Sequence, residues 1–198
     1  MPSEDPEMDR LEQLISELIS TLQLEPFLDS REYTAARVAG MYRDVFAGRE
    51  VDVAALLHPL IPLEPVQQAH PQLVTMATLR FHSMCQHHFL PFFGAVTISY
   101  VPHAHVIGIG KIVSLVQSLA RRPQLQEYFA QQIADTLENA LKPRGLAVHV
   151  VARHMCEAMR GTREDSMIFH SHVYRGVLAT DAGLQQAFLR TTPTTPEG

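Results

Sequence analysis

The sequence predicts an α+β fold: a four-stranded antiparallel sheet in the order β-β-α-α-β-β, backed by helices and preceded by an amino-terminal helical segment. Near the amino terminus, apolar residues recur at three- and four-residue spacing. Farther along, β-branched and aromatic residues dominate two pairs of stretches bounded by Pro and Gly, and two helical patterns separate these pairs. The length of 198 residues suits one compact domain.

The amino-terminal segment, assigned to residues 1–72, is predicted to be helical. From Asp9 to Leu24 the apolar residues fall on one helical stripe, which is typical of a helix that packs on a partner surface. A second helix is predicted to begin after Ser30, a suitable N-cap, and to end near Gly48. The first few residues are expected to be mobile.

The sheet domain is assigned to residues 73–190 and is followed by a flexible tail, residues 191–198. Pro123 is expected to open the longer of its two helices, because proline is favoured in the first turn, and the run from Lys142 to Gly145 ends that helix. The other predicted elements are strands 73–82 and 92–101, the helix 111–120, and strands 146–156 and 168–178.

Composition excludes several functional classes. The formal net charge of -5 and the pI of about 6.1 disfavour a broad nucleic-acid-binding surface. The acidic amino terminus lacks the features of a signal peptide and no apolar run is long enough to cross a bilayer, so we expect a cytoplasmic protein that does not bind membranes. In a reducing compartment, a disulfide between the two cysteines is disfavoured.

Both cysteines stand at the predicted end of a strand, together with histidines. Cys85 and His88 are three residues apart, a spacing that lets both side chains turn onto one ion. Cys156 ends the alternating face of the strand 146–156, directly after His154 on that face. Taken singly, His154 is better explained as a hydrogen-bonded core histidine and Cys156 as a small buried hydrophobe. Together these residues form a moderately specific zinc pattern.

Two kinds of zinc site are compatible with this pattern. Three protein ligands would leave the fourth tetrahedral position to water, as in catalytic sites. A structural zinc would take a fourth protein ligand, which His87 or His154 could supply.

Four motifs give the sequence a family resemblance. They are SMCQHHFLPFFG at residues 83–94, VIGIGKI at 106–112, RRPQLQE at 121–127 and HMCEAMRG at 154–161. In order and separation they resemble the GTP cyclohydrolase I family, and the resemblance runs from about Arg37 to Leu178. It implies a T-fold whose subunits associate into barrels with sites between subunits, commonly in a homo-oligomer of ten.

The resemblance also implies roles for individual residues around the metal. Cys85, His88 and Cys156 match the family's zinc ligands, while His87 and His154 match its histidines for proton transfer. The catalytic site is therefore expected to combine Zn²⁺ with two histidines. His154 is expected to be the principal acid and base.

A second set of positions matches the family's substrate-binding residues. Gln126 and Glu127 match the guanine-binding pair, whereas Lys111, Arg160 and Arg37 match positions that meet the triphosphate. A carboxylate can accept two hydrogen bonds from a guanine edge, which is a physical reason for a glutamate at position 127. Without the motif, Glu127 would be better explained as a solvated first-turn residue favoured by the helix dipole.

The activity implied by the resemblance is a zinc-dependent GTP cyclohydrolase I, a hydrolase of pterin and tetrahydrofolate biosynthesis with a guanine nucleotide as substrate. Such an enzyme opens the guanine imidazole ring at C8, releases formate and forms 7,8-dihydroneopterin triphosphate. Two alternatives stay open: a paralogue acting on a related purine or a less phosphorylated guanine nucleotide, and a non-catalytic T-fold zinc protein.

Departures from the family pattern lie on the substrate side. Gln86 replaces a usual acidic residue, Gly110 a serine, and Ser114 an arginine directed at phosphate. His170 and His172 appear in a rewritten strand and share one face, either as surface histidines or as new substrate contacts. Four arginines nearby in sequence could compensate for the missing phosphate contact: Arg121, Arg122, Arg153 and Arg163.

Overall fold

The computed structural model describes residues 5–70 and 72–196, which form two compact units, one up to Ala47 and one from Gly48 onward. The predicted mobile start (residues 1–4) and the last two residues of the predicted tail lie outside the described residues. Residues 191–196 adopt turns and bends. The division of the chain at residue 72 stays a prediction.

The first unit is a pair of helices, α1 (Pro6–Thr21) and α2 (Arg31–Val45). The Ser30 hydroxyl accepts a hydrogen bond from the Tyr33 amide, so the N-cap predicted for α2 is confirmed. Ile15 and Ile19 of the apolar stripe are buried against α2. The part of the predicted stripe that packs on α2 is therefore Ile15 and Ile19, whereas its leucines Leu14, Leu18 and Leu22 are exposed.

The second unit contains a small two-stranded sheet and a short helix in addition to its main sheet. Strand β1 (Ile61–Pro62) pairs antiparallel with β4 (His105–Val106), and α3 (Pro65–Ala69) lies between β1 and the main sheet in sequence. The guanidinium of Arg122 holds the start of the unit, because its Nε donates to Gly48 O at 2.8 Å and its Nη2 to Val51 O at 2.7 Å.

The main sheet has five strands in the order β5-β2-β3-β6-β7. Its four long strands pair antiparallel, as predicted, and the fifth, β5, is a two-residue parallel addition beside β2. The strands are β2 (Val74–Cys85), β3 (Pro91–Val101), β5 (Pro123–Gln124), β6 (Gly145–His154) and β7 (Phe169–Gly176).

Helices cover the sheet and agree with the predicted pattern, so the α+β fold class is confirmed. The two long ones, α4 (Ile109–Ala120) and α5 (Gln126–Leu141), contribute their apolar faces to one continuous core with β2, β3 and β6. Three short helices complete the unit: α6 (Met155–Ala158), α7 (Val177–Thr180) and α8 (Ala182–Leu189). None of the helices in the described part of the chain has both the length and the apolar character needed to cross a bilayer.

Three predicted element boundaries were wrong. Pro123 does not open α5, because Pro123 pairs with Met84 as part of β5 and the helix begins only at Gln126. Cys156 lies in α6, since the ladder of β6 ends where His154 pairs with Phe92 near the start of β3. The last strand ends at Gly176, and α7 follows.

Gly94 shows how closely β3 and β6 pack, and it gives a testable prediction. A Cβ at Gly94 would lie 1.9 Å from Val151 O, a backbone atom of the paired strand, whereas a Cβ at Gly110 of α4 would meet nothing within 4 Å. We expect Gly94→Ala to destabilise the fold by more than about 3 kcal/mol, because two hydrogen-bonded strands would have to separate. Gly110→Ala should be neutral or stabilising by up to about 1 kcal/mol.

Denaturant unfolding of both variants beside the unchanged protein checks this prediction. Equal stability of the two alanine variants would contradict the close approach of β3 and β6 at Gly94.

Candidate metal centre and active site

The turn between β2 and β3 brings His88 back to Cys85. The amide of Cys85 donates to Leu90 O at 2.9 Å, and the amide of Phe89 donates to Cys85 O at 2.9 Å. This tight turn leaves Cys85 Sγ 3.8 Å from His88 Nδ1. The C-x-x-H spacing therefore closes into a local pair, as a shared ion requires.

The pairing of β3 with β6 delivers Cys156 to the same place. Since His154 of β6 lies opposite Phe92, the residues after His154 reach the β2–β3 turn, and α6 turns Cys156 inward. One ligand atom each from Cys85, His88 and Cys156 lies within 4.8 Å of the other two. Both cysteines are buried free thiols, while His88 is exposed.

The electrostatics of this cluster fit a bound cation. Burial raises the pKa of the Cys156 thiol, and the neighbouring Cys85 sulfur raises it further. Two adjacent buried thiols resist losing both protons unless a positive charge offsets the thiolates. Two sulfurs and an imidazole are a donor set that zinc prefers, so the residues present fit this ion.

His154 is fixed next to the cluster by a hydrogen bond to Gln126. The amide nitrogen of Gln126 donates to Val150 O and to Phe169 O, both at 3.1 Å, which orients the amide oxygen toward His154 Nε2 at 2.9 Å. Because an amide oxygen can only accept, the Nε2 of His154 carries a proton. In neutral His154 the free lone pair is therefore on Nδ1.

The surroundings of the His154 ring favour the neutral form. Burial lowers the pKa of His154, opposed by the negative charges of Glu127 and Glu157. The ring stacks on Phe92, with centroids 4.7 Å apart and planes 9° apart, and meets Phe169 edge-on at 4.9 Å. His154 is thus a rigidly held group able to take or give a proton at Nδ1.

Glu127 lines an open cleft between α5 and the edge strand β7. The cleft has a volume of about 430 Å³, and its wall on the β7 side consists of residues 170–175. Glu127 is exposed in the first turn of α5 and lies close enough to His154 to raise its pKa. Its carboxylate therefore faces solvent where a ligand could reach it.

The other predicted site residues lie on separate elements. His87 is exposed in the β2–β3 turn, with its ring centroid 6.1 Å from that of His88. Lys111 is in the first turn of α4, Arg160 is exposed after α6, and Arg37 is in the first unit, where its Nη1 donates to Tyr33 Oη at 2.8 Å. Among the described residues of the second unit, neither Lys111 nor Arg160 forms a hydrogen bond or ion pair with the cysteine–histidine cluster.

The sequence of the chain matches known proteins over most of its length. The GTP cyclohydrolase I family model matches residues 11–192. GTP cyclohydrolase 1 of Lactiplantibacillus plantarum is 38% identical over 91% of this chain and 94% of its own length, and that of Geobacillus kaustophilus is 36% identical over 91% and 94%. The chain belongs to the GTP cyclohydrolase I family.

Membership in the GTP cyclohydrolase I family confirms the predicted resemblance and the predicted enzyme class, a hydrolase of this type. The observed β-β-α-α-β-β order agrees with the T-fold that the resemblance implied. One solved structure, the archaeosine synthase QueF-Like in the apo form, is 22% identical, covers 54% of this chain and 95% of its own, and has a TM-score of 0.44.

The arginines considered as substitutes for the missing phosphate contact differ in their surroundings. Arg122 is engaged by the carbonyls of Gly48 and Val51 and so has a structural role. The Nε of Arg153 is buried and has no hydrogen-bond partner among the described residues. Arg163 follows Arg160 in a turn, where its amide donates to Arg160 O at 3.2 Å.

One histidine group was missed in the sequence. His149 of β6 lies beside His170 and His172 of β7, and one ring nitrogen of each lies within 4.8 Å of the others. The H-x-H spacing placed His170 and His172 on one face, but only the pairing of β6 with β7 adds His149. The sequence signal that could have identified the group is His149, which lies on the opposite face of the predicted strand 146–156 from Val148 and Val150.

Proposed function

We propose that this chain is a zinc-dependent GTP cyclohydrolase I that opens the guanine imidazole ring at C8, releases formate and forms 7,8-dihydroneopterin triphosphate. The observation that carries the proposal is the convergence of three metal-binding atoms within 4.8 Å, two residues along the chain from a fixed, neutral histidine. Family membership supplies the reaction class, and a catalytic group beside a metal centre supports it.

Cys85, His88 and Cys156 would hold the zinc ion. When bound, Zn²⁺ supplies a Lewis acid and lowers the pKa of a coordinated water toward 7. Three protein ligands leave room for that water, as catalytic zinc sites require. The exposure of His88 beside two buried thiols keeps one side of the cluster open to a substrate.

His154 is proposed to transfer protons at Nδ1. Its Nε2 is held by Gln126, so only Nδ1 of the neutral ring can accept a proton from the reacting nucleotide or its water. Both polar atoms of the Gln126 side chain form hydrogen bonds within the protein, so Gln126 is proposed to position His154. This role is additional to its match to the guanine-binding pair of the family. His87, exposed in the neighbouring turn, is proposed as a second proton-transfer group.

Glu127 is proposed to bind the guanine base and the three cations to bind the phosphates. A carboxylate at Glu127 can accept hydrogen bonds from the N1–H and the 2-amino group of guanine. Lys111, Arg160 and Arg37 would offset the negative charge of the triphosphate.

We further propose a homo-oligomer, a decamer by family resemblance, in the cytoplasm. β5 and β7 are the two edges of the main sheet, and β7 is a long edge strand. Long edge strands present unpaired backbone groups that invite pairing with another subunit. Sheets joined in this way would close into a barrel.

The second candidate is a paralogue that prefers a guanine nucleotide with fewer phosphates. Ser114 stands exposed on α4 where the family commonly has a phosphate-directed arginine, and Arg122 is committed to the Gly48 and Val51 carbonyls. Loss of one cationic contact weakens binding of a highly charged substrate more than that of a less charged one.

Incubation of the zinc-loaded protein with GTP, GDP, GMP and guanosine tests both candidates through formate release and pterin fluorescence. We expect GTP to have the highest kcat/KM, and Glu127→Gln to lower kcat/KM by about 10- to 100-fold, since a charged hydrogen-bond acceptor contributes about 1.5 to 3 kcal/mol. Glu17→Gln, an exposed carboxylate of α1, is the matched control and should leave kcat/KM unchanged.

A preference for GDP or GMP would favour the paralogue. No turnover of any of the four compounds by folded, zinc-loaded protein would overturn both candidates.

A further inference from the structure

Three histidines meet on the face of the sheet opposite α4 and α5. His149 of β6 pairs directly with His172 of β7, and His170 pairs with the neighbouring Val151. Since side chains alternate along a strand, all three imidazoles lie on one face, while Val148 and Val150 face the core. We call this group the three-histidine cluster. It shares no residue with the cysteine–histidine cluster.

The distances suit a small cation. His149 Nε2 lies 3.0 Å from His170 Nδ1, and one ring nitrogen of each histidine lies within 4.8 Å of the other two. Ligand nitrogens around a tetrahedral zinc are about 3.4 Å apart, given bonds of about 2.05 Å. His170 and His172 are exposed to the solvent from which an ion would arrive, whereas His149 is buried.

The cluster is poorly explained by packing alone. His149 is 1% exposed, and its Nδ1 has no hydrogen-bond partner among the described residues. A buried imidazole with an unsatisfied nitrogen costs stability in either neutral tautomer. Its neighbours are two further imidazoles, with ring centroids 5.2 Å away for His170 and 4.5 Å away for His172.

Two of the three imidazoles, those of His149 and His172, have lowered pKa values. Burial, with the charges of His172 and His170, lowers the pKa of His149 to about 4. Burial and His170 also lower the pKa of His172. Metal ions bind the neutral imidazole, so little proton release opposes binding at these two residues.

From this arrangement we propose that His149, His170 and His172 form a second metal site, which binds a divalent transition-metal ion such as Zn²⁺, Co²⁺ or Ni²⁺ through three imidazole nitrogens. Nitrogen donors select these ions over Mg²⁺ and Ca²⁺, which prefer oxygen. The bound ion ties the edge strand β7 to β6. Its ligands are not among the groups assigned to the reaction above, although His170 and His172 also line the cleft that contains Glu127.

Cobalt titration of the full-length, tag-free protein tests the second site. The unchanged chain is expected to bind two Co²⁺ ions: one with the thiolate-to-metal charge-transfer absorption of a sulfur-ligated ion, and one with ligand-field bands alone. The double variant His170→Asn/His172→Asn should retain the sulfur-ligated ion and lose the other. The matched control, His82→Asn/His103→Asn, removes two exposed histidines outside both clusters and should still bind two.

Binding of only the sulfur-ligated ion by the unchanged protein, or of two ions by the double variant, would overturn the second site. Circular dichroism and thermal unfolding check that the double variant is folded. If it is not, the single variant His170→Asn decides the matter: the proposal requires at least a tenfold weaker affinity for the second ion and an unaltered charge-transfer band.

Discussion

Replacing Cys156 by Ser is expected to lower the rate of formate release from GTP by more than about 100-fold and to remove one metal ion per chain. Mutation of a residue that only hydrogen-bonds to a metal ligand typically lowers metal affinity or activity by about 10- to 100-fold. Removal of a ligand itself should exceed that. Of the three converging side chains, Cys156 is the one delivered by α6, so its loss leaves only the local pair in the β2–β3 turn.

Serine keeps nearly the size of cysteine, which separates the chemical effect from a packing effect. A buried hydroxyl without a partner costs about 1 to 3 kcal/mol, and that leaves most domains of this size folded. Elemental analysis and a formate assay check the result. Ala158→Ser adds the same hydroxyl to the same helix and should retain the metal and the activity. Undiminished metal content in Cys156→Ser would contradict the cysteine–histidine centre.

The local half of the candidate metal centre could be predicted from spacing, but the other half depends on strand register. A turn of three residues can return His88 to Cys85 in isolation. Cys156 reaches them only because β3 and β6 pair so that His154 lies beside Phe92. The family motifs supplied this long-range pairing in the sequence, whereas alternation alone placed Cys156 wrongly on a strand.

Hydrogen-bond partners across the sheet were beyond the reach of the sequence. Gln126 was predicted only to bind guanine, yet its amide links the carbonyls of Val150 and Phe169 and holds His154. Val150 and Phe169 lie 24 and 43 residues from Gln126 in sequence. The order of the four long strands and of α4 and α5, and the buried faces of these two helices, follow from local periodicity and were predicted correctly. The short strands and helices were not predicted, and the apolar stripe of α1 is buried only in part.

The start of α5 shows how a local signal can be overridden. Proline is favoured in the first turn of a helix, and Pro123 stands three residues before one. Parallel pairing with Met84 extends the chain there instead, and the Gln86 amide donates to Gln124 O at 3.0 Å. The preference of proline for the first turn of a helix is therefore weaker here than the stabilisation that residues 123–124 gain by pairing with the edge of β2.

Replacing His154 by Asn is expected to lower kcat for formate release by about 100- to 10,000-fold, the usual contribution of a positioned acid and base. Asparagine is polar and smaller than histidine, so it fits the site, but its amide cannot accept a proton near neutral pH. The metal content should therefore stay at the level of the unchanged protein, unlike that of Cys156→Ser. Burst-phase and steady-state kinetics with GTP, together with metal analysis, measure both quantities.

The split between kcat and metal content distinguishes a proton-transfer role for His154 from a structural one. A structural histidine, packed between Phe92 and Phe169, would on removal lower thermal stability and metal content together. His82→Asn is the matched control: His82 also stacks on a phenylalanine, Phe93, but is exposed and outside the site, so kcat should not change. Full activity of His154→Asn would assign proton transfer to another group, with His87 in the neighbouring turn as the first to replace.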